Sequence, residues 1–373
     1  MKTPRVPFLD LRRESARDRC ELERALGRVL DRGWYILGPE LEALEREFAE
    51  AFGAPYAAGV ASGTDALTLA LEACGALAPG AGEEVITTAL SAAFTALAIC
   101  RAGAVPRFVD VDPVTLQMDP SRVESSIGEK TRALLPVHLY GHACDIPAIL
   151  ELARNHHLTV IEDACQAHGA RLAGQALGTF GRAAGFSFYP TKNMGALGDA
   201  GMVLTGDEEL ILRVKKLRHG GQSKSYHHEL LGCCSRLDEL QAAVLRLRLR
   251  TLEERNAVRR NLASRYDEAF ADLDLVLLPV TPGLLPNRHL YPIRTRHRDE
   301  LRSFLRERGI ETLVHYPAPL PLQPALQRFV LPGQEFPVAE QASREILSLP
   351  LHPELTEEEL QRTIEAVRQF FKA

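Results

Sequence analysis

Several features are missing from this chain, and each absence removes a class of function. There is no long apolar run: the longest uncharged stretch, Val85 to Cys100, ends at Arg101 before it could span a bilayer. The amino-terminal MKTPRVPFLDLRRESARDR lacks the apolar segment of an export signal, so a soluble cytoplasmic protein is expected. The seven cysteines are odd in number and show no CxxC spacing, which argues against a disulfide framework and against structural zinc. Positive charge is not in excess either. With 44 Lys and Arg against 49 Asp and Glu, the net charge is −5 and the signs are interspersed, so no broad nucleic-acid surface is expected. Internal repeats and low-complexity tracts are also absent.

What is present reads as a globular α/β protein. The chain has 373 residues, 46% of them hydrophobic, enough for two domains or one large domain with an appendage. ELEALEREFAEAF has apolar residues at helical spacing and stops at Gly53. Short apolar runs then alternate with helical patterns such as Ile146 to Asn155. EVITT (84–88), RFVDV (107–111), ALLPV (133–137), LTVIED (158–163), GFSFY (185–189) and GMVLT (201–205) are candidate strands of a mainly parallel sheet. From Arg236 to Phe270 one uninterrupted helical pattern carries the chain onward, its arginines interleaved with leucines and glutamates as on a solvated face. LTEEELQRTIEAVRQFF closes the chain as an amphipathic helix. The domain boundary is placed near residue 250.

Three short stretches carry chemistry. In FSFYPTKNMGALGDAG, Lys192 follows a strand end and precedes a glycine-rich loop. Burial there would lower the amine's pKa and make it a nucleophile toward carbonyls; the alternative is a solvated loop lysine. Gly195, Gly198 and Gly201 would let ligands approach the backbone closely. In VIEDACQAH a strand delivers Glu162 and Asp163 at its C-terminal end, where open α/β sheets bind ligands. A carboxylate there can pair with a protonated ring nitrogen, cap a helix or hold magnesium. In ASGTDALTLAL, Gly63 allows a tight turn, Ser62 or Thr64 can cap, and the helix start can bind phosphate. An amine for an aldehyde, an acid for a ring nitrogen and a phosphate cradle together meet the requirements of pyridoxal phosphate.

The residues resemble the DegT, DnrJ, EryC and StrS family of sugar aminotransferases nearly end to end. The resemblance is carried by YILGPELEALEREFA, ASGTDALTLAL, GAVPRFVDVD, PVHLYGH, IEDACQAHGA, FSFYPTKNMGALGDAG, CSRLDELQAA, GIETLVHYP and ILSLP. It implies the type I pyridoxal-phosphate aminotransferase fold: a large α/β domain (1–250) with a mainly parallel seven-stranded sheet, and a smaller C-terminal α/β domain (251–373). It also implies that Lys192 holds the cofactor's aldehyde and later shuttles a proton. Asp163 would pair with the ring nitrogen, Gln166 with the ring hydroxyl, and Gly63, Thr64 and Ser187 with the phosphate. His168 supports the site from behind; His315, Tyr316 and His227 lie on the substrate side. A homodimer with composite sites is implied, the loop GCCSRLDELQAA reaching the neighbour's cofactor.

Two positions depart from the family. Cys234 stands where members commonly carry an asparagine that touches the partner's cofactor phosphate, and thiols are weak donors, so Arg236 is the candidate to compensate. Ala92 stands where an aromatic often stacks on the cofactor ring, with Phe94 two residues on. His138 and His142 lie four apart, but they follow a strand and no third ligand is spaced to join them, so no metal is expected. The expected reaction moves an amino group from L-glutamate to a ketone of a nucleotide-linked deoxy-sugar, such as a dTDP-3-keto-6-deoxyhexose. A keto-cyclitol acceptor and a cofactor-binding regulator without turnover stay open. The dehydratase branch of the family carries a histidine at the lysine position, which Lys192 argues against.

Overall fold

A computed structural model describes residues 5–77 and 80–372; the ends of the two expected domains, residues 1–4 and 373, lie outside the described residues. Seven strands form one sheet in the order Tyr56–Val60, Gly201–Thr205, Ala183–Ser187, Thr159–Asp163, Thr131–Leu135, Glu84–Thr88, Val105–Val109. Gly201–Thr205 runs antiparallel to both neighbours, and the remaining pairs are parallel. The mainly parallel α/β sheet is therefore as expected.

Two departures from the sequence reading have physical reasons. The strand Tyr56–Val60 (YAAGV) escapes a pattern search because small residues make room for neighbours. A Cβ on Gly59 would lie 2.6 Å from Leu41 Cδ1. The long helical pattern breaks at Thr251 into Glu239–Arg250 and Leu252–Phe270. No proline or glycine marks the break. Contacts on both sides of the break hold it: Arg248 donates to the Gly195 carbonyl, and Arg248 and Arg255 both pair with Glu14, at 3.4 and 2.7 Å. Three strand windows also begin and end two residues earlier than their apolar runs, because Val111, Val137 and the Phe188–Tyr189 pair already belong to the loops above the sheet.

Helices cover both faces. On one, Pro39–Phe52 and Glu239–Arg250 enclose Phe48, Phe186 and Phe188, whose rings meet edge to face. Burying each such ring contributes roughly 1.5–3 kcal/mol. On the other face, Gly63–Ala73, Ala93–Arg101 and Glu208–Leu217 pack through Leu67, Ile99 and Val214. A separate three-stranded sheet (Val276–Leu277, Tyr291–Arg294, Ile346–Leu349) shares its core with the final helix Glu357–Lys372 and with Val6, which pairs with Ile310. Glu239, within SRLDELQAA, is fully buried and accepts the backbone N–H groups of Gly38, Glu40 and Leu41, capping the helix Pro39–Phe52.

Candidate active site

Asp163, Cys165, His168, His289 and His315 lie near enough to Lys192 for its amine to be coupled to them electrostatically. The strand Thr159–Asp163 separates its two carboxylates because side chains alternate across a sheet. Glu162 points into the protein, where it accepts from His138 Nε2 (2.8 Å) and from the N–H groups of Gly178, Phe180 and Gly181. Asp163 faces the site. Its Oδ2 accepts from Thr95 Oγ1 (2.7 Å) and its Oδ1 from the Cys165 N–H (3.1 Å).

The strand Ala183–Ser187 ends beside the start of the helix Gly63–Ala73. A Cβ on Gly63 would lie 2.5 Å from Ser187 Cβ and 3.0 Å from Cys165 Sγ. Gly63 is thus required by close approach, and its φ is not in the left-handed region that the expected tight turn would suggest. Ser62 caps the helix, its Oγ accepting from Asp65 N at 3.1 Å and its carbonyl from Ala66 N. The first N–H groups of a helix have no partner within it, so those of Gly63 and Thr64 are left for an anion, with the Ser187 hydroxyl alongside.

Lys192 is half-buried, and desolvation lowers its pKa, with Cys165 and Asp163 nearby acting in the opposite direction. Among the described residues its amine has no hydrogen-bond or ion-pair partner. The glycines that follow it serve protein packing instead of ligand approach. A Cβ on Gly195 would lie 2.3 Å from the Pro190 carbonyl oxygen, one on Gly201 2.3 Å from that of Ser62, and one on Gly198 3.2 Å from Gln241 Nε2.

Gln166 joins the two halves of the site. Its Oε1 accepts from Tyr140 N (2.7 Å) and its Nε2 donates to Tyr316 Oη (3.0 Å), leaving the second N–H of that amide for a ligand. Burial raises the Tyr316 hydroxyl to about 12. Next to it, His315 contacts Ser348 Oγ at 2.9 Å, and its carbonyl accepts from the Tyr140 hydroxyl. Burial and the nearby Lys192 hold the His315 ring down to about 4. His168 is fully buried against Phe186 and Phe188, neither ring nitrogen has a hydrogen-bond partner among the described residues, and burial pushes it down to about 3.

Of the remaining sequence candidates, Phe94, His227, Cys234 and Arg236 lie on exposed or half-buried surface. Phe94, the second residue of the helix Ala93–Arg101, is 64% exposed and adjoins Thr95. His227 lies on an exposed hairpin, 3.2 Å from Ser223 Oγ. Cys234 is exposed, and Arg236 approaches His219 Nδ1 at 3.3 Å. Their loop is tied to the helix start by Ser235, whose Oγ donates to Asp65 (2.7 Å) and accepts from Ala61 N. His138 and His142 are occupied elsewhere, His142 by Arg288 at 3.4 Å.

Sequence reasoning passed over Thr95, Tyr140, Asn193 and His289. Thr95 sits in an otherwise apolar helix, where a buried hydroxyl is a signal. The others read as ordinary loop residues.

An unpartnered amine, a donor-supported carboxylate and a glycine whose Cβ would fill the space against a serine together fit pyridoxal phosphate. Fold and site define a pyridoxal-phosphate-dependent aminotransferase. The model of the DegT/DnrJ/EryC1/StrS aminotransferase family matches residues 17–368, and the chain belongs to that family. It is 48% identical over 370 residues to the dTDP-3-amino-3,4,6-trideoxy-alpha-D-glucose transaminase of Streptomyces venezuelae, covering 99% of this chain and 97% of that one. It is 44% identical to a Geobacillus stearothermophilus protein named as a pleiotropic regulatory protein, covering 98% and 99%. The crystal structure of Streptomyces venezuelae DesV superposes with a TM-score of 0.96 at 47% identity over the whole of both chains. The chain is thus a sugar aminotransferase of the type I fold.

Proposed function

We propose that the enzyme moves an amino group from L-glutamate to the keto carbon of a nucleotide-linked deoxy-sugar, a dTDP-3-keto-6-deoxyhexose being the acceptor favoured. The observation that carries the transfer is the unpartnered Lys192 amine, its pKa lowered, on the same strand ends as Asp163. The similarity to a dTDP-sugar transaminase over nearly the full length favours the acceptor class.

When bound, pyridoxal phosphate supplies an electron sink for the carbon beside the transferred nitrogen. Lys192 would hold its aldehyde, Asp163 its ring nitrogen, Gln166 its ring hydroxyl, and Gly63, Thr64 and Ser187 its phosphate. Thr95 and the Cys165 N–H hold the Asp163 carboxylate in place as acceptor. Lys192 Nζ accepts the proton leaving the donor's α-carbon in the first half-reaction and delivers one to the former keto carbon in the second. Glutamate departs as its keto acid before the acceptor reacts, so ping-pong kinetics follow. His315 and Tyr316 are placed on the acceptor side.

The same reading completes each site with the loop around Cys234 and Arg236 and the His227 hairpin of a second subunit in a homodimer. Exposed Leu231, Tyr226 and Trp34 support an apolar contact there. It also divides the chain into a large domain (1–250) and a small one (251–373), supported by the break at Thr251 and by the three-stranded sheet Val276–Leu277, Tyr291–Arg294, Ile346–Leu349, which lies wholly beyond it. A cytoplasmic setting is supported by seven free cysteines.

The test is the visible spectrum of the protein with pyridoxal phosphate before and after L-glutamate, then borohydride trapping with peptide mapping and a screen of keto-sugars and keto-cyclitols. Bleaching by glutamate, attachment at Lys192 and turnover of a nucleotide-linked keto-sugar are expected. Lys192→Ala should fold and lose all three. Activity retained in that variant overturns the assignment; turnover of a cyclitol alone overturns the acceptor, and binding without bleaching makes the protein a regulator.

A further inference from the structure

The residue after Lys192 is clamped on three sides. Asn193 is buried, and its Nδ2 donates to Asn256 Oδ1 (2.8 Å) and to the Asn287 carbonyl (2.9 Å). Those two donations fix which end of the amide is oxygen. The contact of Asn193 Oδ1 with His289 Nδ1 at 3.0 Å therefore has the imidazole as donor, which places the proton on Nδ1 and leaves Nε2 bare in the neutral ring. Burial, with Lys192 and Arg259 nearby, keeps that ring neutral.

The segment Asn287–His289 also grips the opposite wall of the site. Asn287 Nδ2 donates to the carbonyls of Gln166 (2.9 Å) and His168 (3.1 Å), and the His289 N–H donates to the Tyr140 carbonyl (3.1 Å). Asn256 adds a further bond to the His168 carbonyl at 2.8 Å. One tripeptide thus ties the loop bearing Lys192 to the loop bearing Asp163 and Gln166. Both ends of the Asn193 amide are partnered, whereas Asn287 Oδ1 is buried with no partner among the described residues; a partnered buried amide holds one geometry, and losing a partner leaves a costly orphan.

We propose that His289 is a positioning residue for Lys192, acting through the Nδ1–H donation to Asn193 that fixes the lysine loop against the Asp163 loop. The inference rests on the reading of Lys192 as the cofactor-holding lysine. His289 need not touch substrate or cofactor for this role.

Two isosteric variants separate the nitrogens. His289→Asn keeps an N–H donor near the Nδ1 position and removes Nε2, whereas His289→Gln keeps a group near Nε2 and removes the donor to Asn193. In the full chain freed of cofactor, labelling of Lys192 by formaldehyde and borohydride is followed against pH by peptide mass spectrometry. Thermal melting and the pH dependence of the cofactor's visible absorbance after reconstitution are measured alongside. His289→Asn should follow the parent protein. His289→Gln and Asn193→Ala should each move the labelling midpoint upward by about one pH unit, a tenfold loss of neutral amine at a given pH, as the loosened lysine gains water. Equal midpoints in all variants, or a shift in His289→Asn as large as in His289→Gln, would overturn the proposal. The Asn193→Ala arm decides the matter if His289→Gln fails to fold. Borohydride trapping of cofactor on a different lysine overturns the reading of Lys192 and this inference with it; trapping on Lys192 with unmoved midpoints overturns this inference alone.

Discussion

Gly63 and Ser187 approach so closely that a Cβ on the glycine would lie 2.5 Å from that of the serine. The neighbours are a strand end and a helix start, neither of which can yield as the tip of a flexible side chain could. Gly63→Ala is therefore expected to cost about 1–3 kcal/mol of stability through overpacking and to weaken cofactor binding roughly tenfold or more by displacing the N–H groups proposed to hold the phosphate. Thermal melting and a fluorescence titration with pyridoxal phosphate measure the two effects. Unchanged affinity in a destabilised variant would show that the phosphate does not sit at this helix start.

Asp163 depends on Thr95. The 2.7 Å bond from Thr95 Oγ1 joins the helix Ala93–Arg101 to the end of the strand Thr159–Asp163 and fixes one carboxylate oxygen. A hydrogen bond to a charged acceptor is worth about 1.5–3 kcal/mol, so Thr95→Val should lower kcat/KM about tenfold. Asp163→Asn, which removes the charge proposed to face the ring nitrogen, should lower it by on the order of 10²-fold or more. If Thr95→Val matched the parent enzyme, the carboxylate would be held well enough by the Cys165 N–H alone.

Legibility followed from how local each signal was. Lys192, Asp163 and Ser187 lie at strand ends whose apolar patterns are visible in the chain, and the ends of the helices Ile146–Asn155 and Gly63–Ala73 are marked by caps at Asp145 and Ser62. The strand YAAGV was hidden because its small residues answer to Leu41 and Leu237 from distant segments. The break at Thr251 was hidden for the same kind of reason, since the anchors of Arg248 and Arg255 come from elsewhere in the chain. The role of Glu162 was undecided in the sequence. Only the positions of His138 and the loop 178–181 show that it is structural. Likewise the Asn193 and His289 contact joins residues 96 apart in the chain, beyond any local pattern.

Acid should destabilise the protein through its buried neutral histidines. His168 and His315 are held down to about 3 and about 4, both chiefly by burial, while an unfolded chain protonates histidine near about 6.5. Between those values the unfolded state binds more protons at these two rings, so their contribution to stability is complete above about 6.5 and falls as the pH drops toward 4. His138, raised to about 10 beside Glu162, contributes in the opposite sense above about 6.5 and leaves this acid window unaffected. Unfolding midpoints in urea across that window should show the slope. His168→Phe removes two unpartnered ring nitrogens from an aromatic setting and should flatten it by close to one proton. An unchanged slope in that variant would mean that His168 is protonated in the folded protein after all.

Cys234 offers a test of the composite site. The thiol is exposed on a loop that Ser235 anchors to Asp65, so the loop is held firmly while its tip faces outward. If a second subunit's loop completes each phosphate site, the thiol there is a poor donor and an amide would be better. A new hydrogen bond to a charged phosphate is worth about 1.5–3 kcal/mol, so Cys234→Asn should tighten pyridoxal phosphate binding about tenfold. The gain should vanish on dilution below the dimer dissociation constant, because the residue serves the partner's cofactor. Equilibrium dialysis at two protein concentrations, with sedimentation to fix the oligomeric state, measures both effects. Affinity that ignored the substitution would place Arg236 or the helix start in sole charge of the phosphate, and a gain that survived in the monomer would place Cys234 in its own subunit's site.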